Sequence, residues 1–223
     1  MSAQNFTESK SQAQQDLFVL AVTGKRNGFF LEIGGFHSEK LSNTYLLEKG
    51  FGWRGVTVEF VPENAAEIAS NRAAAVICQD ATTIRWADRR VELDVPKDPD
   101  YLQVDCEPAL SSLLALWRVV VSGIRPKVIT FEHDAYAKAT LLGVIPQGRA
   151  VRSWSRLLLR VLGYTLVAAN IATQSGKPFE DWWVRTPGKT FTRLMGNSPI
   201  TSVQDFMLVN GLYARYERLA SAR

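Results

Sequence analysis

The residues FFLEIGGFHSEKLSNT, positions 29–44, join a short apolar run to two glycines and then to a polar segment entering a helix. An apolar run bounded by turn residues reads as a buried strand, and a glycine turn between strand and helix lets a ligand come close to the backbone. Glu32 lies two residues ahead of Gly34, and a second acid, Glu59, ends the next apolar run 25 residues beyond that glycine. That separation is near the one at which a carboxylate grips ribose hydroxyls in Rossmann-type sites. The pair predicts a nucleoside site at the strand ends.

The glycine pattern argues against NAD as that nucleoside. A dinucleotide fingerprint sets three glycines as GxGxxG so that pyrophosphate rests on the helix N-terminus. Here Gly34 and Gly35 are followed by Phe36, His37 and Ser38. Glu32 would repel pyrophosphate but attract an ammonium or sulfonium group, a sign that suits S-adenosylmethionine.

Outward from this turn, strand and helix signals alternate, which predicts an α/β domain with a mainly parallel sheet. Strands are expected near 29–33, 56–59, 75–78, 101–105 and 127–132, and helices over 5–23, 41–49, 62–72, 109–122 and 147–162. Pro62 suits a first helical turn, while Gly50 and Gly123 stand where left-handed caps are favoured. The connection between YTLVAANIAT and FEDWWVRT is too short for a crossover helix, so these two segments must pair antiparallel. Beyond Pro187 the pattern weakens to one terminal amphipathic helix, read as a lid, an oligomer contact or core cover. The chain thus divides into an N-terminal helical segment, 1–28, a ligand-binding domain, 29–187, and a basic helical extension, 188–223.

The blocks EIGG, LSNTYLLEKGFGWRGVTVE, DYLQVDCEP, VITFEHDAY, LLRVLGYTLVAANI and FEDWWV follow one another from about Phe29 to Pro187. In this order they resemble the FkbM-like family of S-adenosylmethionine-dependent methyltransferases. The family's usual EIGAxDG is altered here at Phe36, His37 and Ser38. The resemblance implies a Rossmann-like class I methyltransferase fold, with a mainly parallel seven-stranded sheet, a C-terminal antiparallel hairpin and helices on both faces. It also implies cofactor contacts. Gly34 and Gly35 would pass under the methionine part near Glu32, Glu59 would hold the ribose, and Asp80 with Ala81 would approach the adenine amino group. Asp105 would lie beside the amino acid end and the transferring methyl, and Asn43 would be a further contact when it is not simply capping a helix with Thr44.

The residues support such a site without the resemblance. In open α/β sheets ligands bind outside the carboxyl ends of the strands, and Glu32, Glu59, Asp80, Asp105 and Glu132 all end apolar runs. Any one alone would read as a helix cap or surface charge. With the family's strand order, His37, Asp105, Glu107, Glu132, His133 and Asp134 would meet at one rim. His133 is the expected general base, with Asp105 and Glu132 beside it, and general-base help is worth about 100- to 10,000-fold in rate. The alternatives are Mg²⁺ held by Asp105, Glu132, His133 and Asp134, or a structural histidine bonded to a carboxylate. Trp182 and Trp183 alternate faces, so one is expected in the core and the other at the substrate mouth.

Composition sets the outer limits. A chain of 223 residues, 46% hydrophobic and 22% charged, is ordinary globular composition with room for one well-buried domain. No apolar run reaches the roughly 18 residues that span a bilayer, and the opening residues are polar where a signal peptide would be apolar. The expectation is a cytoplasmic protein with no membrane partner and two reduced cysteines, Cys78 and Cys106. The net charge of +4 permits an anionic partner without demanding one. Arg149, Arg152, Arg156 and Arg160 share a helix face, read as solvated or as a contact for phosphate or nucleic acid. CxxC pairs, HExxH and a Walker loop are absent, which removes zinc proteolysis and NTP hydrolysis. The reading is O-methyl transfer to a hydroxyl of a sugar, glycan or small natural product by a monomer or homo-oligomer. Its rivals are a noncatalytic nucleoside-binding subunit and an RNA methyltransferase.

Overall fold

The computed structural model describes residues 9–138, 140–141, 144–172, 176–185 and 203–222. Strands β1 (Phe29–Ile33), β2 (Arg54–Glu59), β3 (Ala75–Cys78), β4 (Tyr101–Val104) and β5 (Val128–Glu132) run parallel. The two-residue strands β6 (Thr140–Leu141) and β7 (Ile145–Pro146) form a small ribbon. Strands β8 (Thr165–Ala172) and β9 (Pro178–Val184) pair antiparallel and complete a seven-stranded sheet in the order β3-β2-β1-β4-β5-β9-β8. Every residue of β1 and of β4 is buried, as central strands covered on both faces require. The chain moves outward from β1 to β3 and then crosses back to β4. That reversal makes the β1–β4 junction the switch point at which open α/β sheets bind ligands.

The helices depart from expectation where side chains compete for the backbone. α1 spans only Gln15–Thr23. Ser9 and Ser11 donate their hydroxyls to Asp16 Oδ1 at 2.7 and 2.8 Å, and such local bonds draw polar residues out of a helix. α2 (Tyr45–Phe51) begins later than position 41, because the Ser42 hydroxyl accepts the N–H groups of Thr44 and Tyr45. Capping therefore belongs to Ser42, and Thr44 makes no side-chain cap bond. Gly50 lies inside α2, and the left-handed cap is Gly52 at φ 69°. α3 (Pro62–Asn71), α5 (Ala109–Val121) and α6 (Gln147–Val161) follow the periodicity closely. α4 (Trp86–Glu92) follows a one-turn helix over 81–83 and was not legible, since only Trp86 is buried in it. The terminal region holds two helices, α7 (Val203–Val209) and α8 (Leu212–Ser221), divided where Gly211 turns left-handed at φ 61°.

Two apolar layers flank the sheet. On one side α1, α2, α7 and α8 bring Leu17, Leu47, Phe206 and Tyr216 against Phe30, Tyr101 and Trp182. The Trp182 indole stacks on Phe18 at 4.4 Å and meets Phe206 edge-on at 5.7 Å. On the other side α4, α5 and α6 bring Trp86, Leu116 and Leu159 against Leu31, Leu102, Ile129 and Trp183. Both hairpin tryptophans are therefore fully buried, one per layer, and neither reaches a substrate mouth. The opening and closing segments share the first of these cores. Both cysteines are free thiols, and among the described residues no helix is long and apolar enough to cross a membrane.

Candidate active site

A cavity of about 850 Å³ opens at the carboxyl ends of β1, β2, β4 and β5, within the size range of small-molecule sites. Its floor is the glycine turn. Gly34 sits at φ 87°, and a Cβ there would lie 1.7 Å from the Asp105 carbonyl oxygen, so the backbones of β1 and β4 meet only because the side chain is missing. A Cβ on Gly35 would come within 2.4 Å of Thr57 Cγ2.

Around this floor the expected acids converge. Glu32, buried in β1, accepts the Thr57 hydroxyl at 2.8 Å. Burial raises its carboxyl above the ordinary range, against the pull of the Arg72 charge and the Thr44 and Thr57 hydroxyls. Glu59 accepts the N–H of Val61 on one oxygen and that of Phe36 on the other, each at 2.8 Å. Its carboxylate thus fixes the altered turn as well as facing the cavity. Asp80 is exposed at the rim, held by the N–H and hydroxyl of Thr82 at 2.8 Å, and Ala81 follows it into the wall. Asn43 also lines the cavity, with its side-chain oxygen unpartnered among the described residues.

Asp105 and Glu132, ending β4 and β5, form a hydrogen-bonded carboxyl pair in the wall. Burial and the Asp105 charge push Glu132 far up, so it keeps a proton. Burial also raises Asp105, with the charges of Asp134, Glu107 and Glu59 adding to the shift against the bond from Glu132. The neighbouring Cys106 thiol is pushed up to about 12 by burial and by the Asp105 charge, so it stays protonated.

The histidines do not join this pair. His133 is fully buried and faces away from the cavity: Nε2 lies 3.5 Å from Asp181 Oδ1, and Nδ1 accepts the N–H of Ala135 at 3.2 Å. The residue expected as the base therefore stands outside the cavity lining. His37 stands beside α3, where Nδ1 accepts the N–H groups of Glu39 and Lys40 and lies 3.9 Å from Glu67. Asp134 is buried outside the lining. The alternative magnesium set of Asp105, Glu132, His133 and Asp134 therefore does not assemble, and no group of three such side chains among the described residues is placed to hold a metal ion.

Two arginines of the stripe are likewise occupied, while Arg149 and Arg160 are exposed. Arg156 grips Asp181 through Nε and Nη2 at 2.7 and 2.8 Å, and Arg152 and Arg156 both donate to Asn170 Oδ1 at 2.9 Å. Half of the stripe ties α6 to the hairpin and presents no free face to phosphate.

No protein-family model and no curated protein matches the chain. Solved structures do. The O-methyltransferase from Bacillus cereus in complex with SAH matches at TM-score 0.55 and 18% identity, over 81% of this chain and 84% of that one. The SAH-bound Podospora anserina methyltransferase PaMTH1 matches at 0.53 and 13%, over 77% and 76%. Cofactor-bound Rv0187 from MTB matches at 0.53 and 19%, over 83% and 81%. The fold is the Rossmann-like methyltransferase fold. On that fold the cavity occupies the switch point, and its chemistry fits a cofactor bearing ammonium, sulfonium and hydroxyl groups. Carboxylates and bare carbonyl oxygens supply acceptors for those groups, and the glycine turn supplies the close approach.

Sequence reasoning missed two contributors to the wall. Gln12 arrives from the segment ahead of α1, where Ser11 bridges to Leu41. No local signal marks it. Gln103 lies in the middle of β4, only 1% exposed, with its side-chain oxygen unpartnered. A polar residue inside YLQVD, a run buried on both faces, was a signal available in the sequence.

Proposed function

We propose that the protein is an S-adenosylmethionine-dependent methyltransferase that methylates a hydroxyl on a sugar, glycan or other small natural product. The observation carrying this reading is the cavity itself, set at the switch point of a methyltransferase fold and lined by acids with no Lys, Arg or His among its described residues. The order of motifs from EIGG to FEDWWV supports placement among the FkbM-like enzymes.

When bound, the cofactor supplies an electrophilic methyl group on a sulfonium centre. Glu32, Gly34, Gly35 and Asn43 would hold its amino acid end, Glu59 its ribose, and Asp80 with Ala81 its adenine. Asp105 takes the place first expected of His133. Its raised carboxyl, steadied by the protonated Glu132, is suited to receive the proton leaving the acceptor hydroxyl. The rest of the effect is positional, since holding the reactants in contact offsets about 7 to 11 kcal/mol of a bimolecular barrier at best.

RNA is a poorer acceptor for this cavity, because a phosphate backbone would meet carboxylates at the mouth and arginines already engaged with Asp181 and Asn170. The test is transfer of labelled methyl from S-adenosylmethionine to separate pools of small hydroxylated compounds, glycans and RNA. Label appearing in small molecules or glycans is expected. Label confined to RNA, or none in any pool, contradicts the reading.

A further inference from the structure

The sign of the cavity carries information about the acceptor as well as the cofactor. Six lining side chains are acids, namely Glu32, Glu59, Asp80, Asp105, Glu107 and Glu132, and none of the described lining residues is a cation. The cofactor brings two positive groups against one carboxylate, and apart from Asp105, expected beside its amino acid end and methyl, its proposed contacts fall at the β1, β2 and β3 ends. Of the acids at the β4 and β5 ends, Glu107 is left with no assigned role.

A second observation points the same way. Gln103, in β4 between Glu32 and Thr130 of the neighbouring strands, directs an unpartnered side-chain oxygen into the cavity while 1% exposed. A buried acceptor without a donor costs about 1 to 3 kcal/mol, so a ligand that donates there recovers that cost. Glu107 stands exposed at the mouth, beyond the Asp105–Glu132 pair, and Ser111 shares its wall. Lys177 is close by, with its ammonium 5.5 Å from the Tyr136 ring centroid, but it does not line the cavity.

Resting on the cofactor reading above, we propose that the β4–β5 end of this cavity is a subsite for a protonated amine, so that the molecule methylated is a small hydroxylated amine. Glu107 receives the ammonium as the hydroxyl is brought to the methyl group. In the transfer the sulfonium C–S bond breaks as the C–O bond forms. The hydroxyl proton passes to Asp105, and the ammonium keeps its own protons. Acceptors bearing phosphate or carboxylate are excluded by like charge.

The test separates this claim from the cofactor claim. The full chain is first titrated with SAH. The SAH-loaded protein is then titrated with matched sets of amino sugars, aminocyclitols and amino alcohols, their N-acetyl derivatives and their phosphate esters. At least one free amine is expected to bind about tenfold or more tightly than its N-acetyl partner, and no phosphate ester to bind better than either. Glu107→Gln should erase that preference and leave SAH affinity within about twofold. Equal binding of the N-acetyl or phosphate members, or no binding by any amine to the SAH-loaded protein, overturns the proposal. Wild-type protein that fails to bind SAH overturns the cofactor reading, and the proposal with it.

Discussion

Two groups of acids stand at the carboxyl end of the sheet, and they are treated in opposite ways. Behind the hairpin, Asp181 is fully buried but has Arg156 in a two-pronged grip and His133 at 3.5 Å. Burial works against its charge, yet these partners hold its carboxyl well below the usual range. In the cavity, Glu32, Asp105 and Glu132 are pushed upward by burial, and no cation stands among the described lining residues. Folding alone would favour pairing both groups, since an unpaired buried charge is costly. The group without a cation in its lining is the one facing open space. A cationic ligand in the cavity would supply compensation there, and this is what favours the cavity over the histidine as the proposed site.

The sharpest way to break this comparison is to remove the cation from the compensated group. Arg156→Ala should destabilise the fold by about 3 to 5 kcal/mol at pH 7, read by urea unfolding, because Asp181 is left buried without its main partner. The Asp181 pKa is lowered in the folded state, so this contribution is fully present above the ordinary carboxylate range and lost as pH falls through the folded value. The cost of Arg156→Ala should therefore shrink in acid.

Next in size is the division of labour between Asp105 and His133. Asp105→Asn should lower turnover by about 100-fold while SAH affinity stays within about threefold, as removal of a proton acceptor used in the transition state requires. His133→Ala should leave turnover within about threefold and cost about 2 to 4 kcal/mol of stability, because it opens a hole behind the hairpin. The reverse pattern would return the base to His133.

A smaller effect distinguishes two neighbours in β9. Burial raises the Glu180 carboxyl to about 8, against bonds from Trp182 and Gln15 and with the charges of Asp105 and Asp181 adding to it. Between the ordinary carboxylate value of 4.5 and about 8 the folded state holds a proton that the unfolded state has lost. Stability must fall with rising pH across that window and level off above it. Glu180→Gln should match wild type near pH 4 and exceed it near pH 9, by a few kcal/mol at most. Equal pH profiles for the two proteins would remove Glu180 from the balance.

The sheet was legible because its strands are compact apolar runs ended by acids and glycines, a signal that depends only on neighbouring residues. The five strand-end acids came with it, since chain direction fixes which end of a parallel strand faces the ligand. Whatever depended on a partner distant in sequence was harder to read. His133 follows Glu132 at the correct strand end, but its ring faces Asp181, 48 positions away on a strand that pairs beside it. Arg152 and Arg156 looked solvated until Asn170 and Asp181 closed on them. Ser9 and Ser11 ended the helical reading of the opening segment through bonds to Asp16, and that segment delivered Gln12 to the cavity wall.

The most direct test of the central claim is calorimetric titration of SAH into the wild-type protein and into Glu59→Ala side by side. Micromolar affinity is expected for wild type, with a loss of about 1 to 3 kcal/mol, or roughly 5- to 160-fold, when the carboxylate that faces the cavity and holds the N–H groups of Phe36 and Val61 is removed. No binding by the folded wild-type protein, or identical affinity in the two, would contradict the assignment of this acid-lined cavity as the cofactor site.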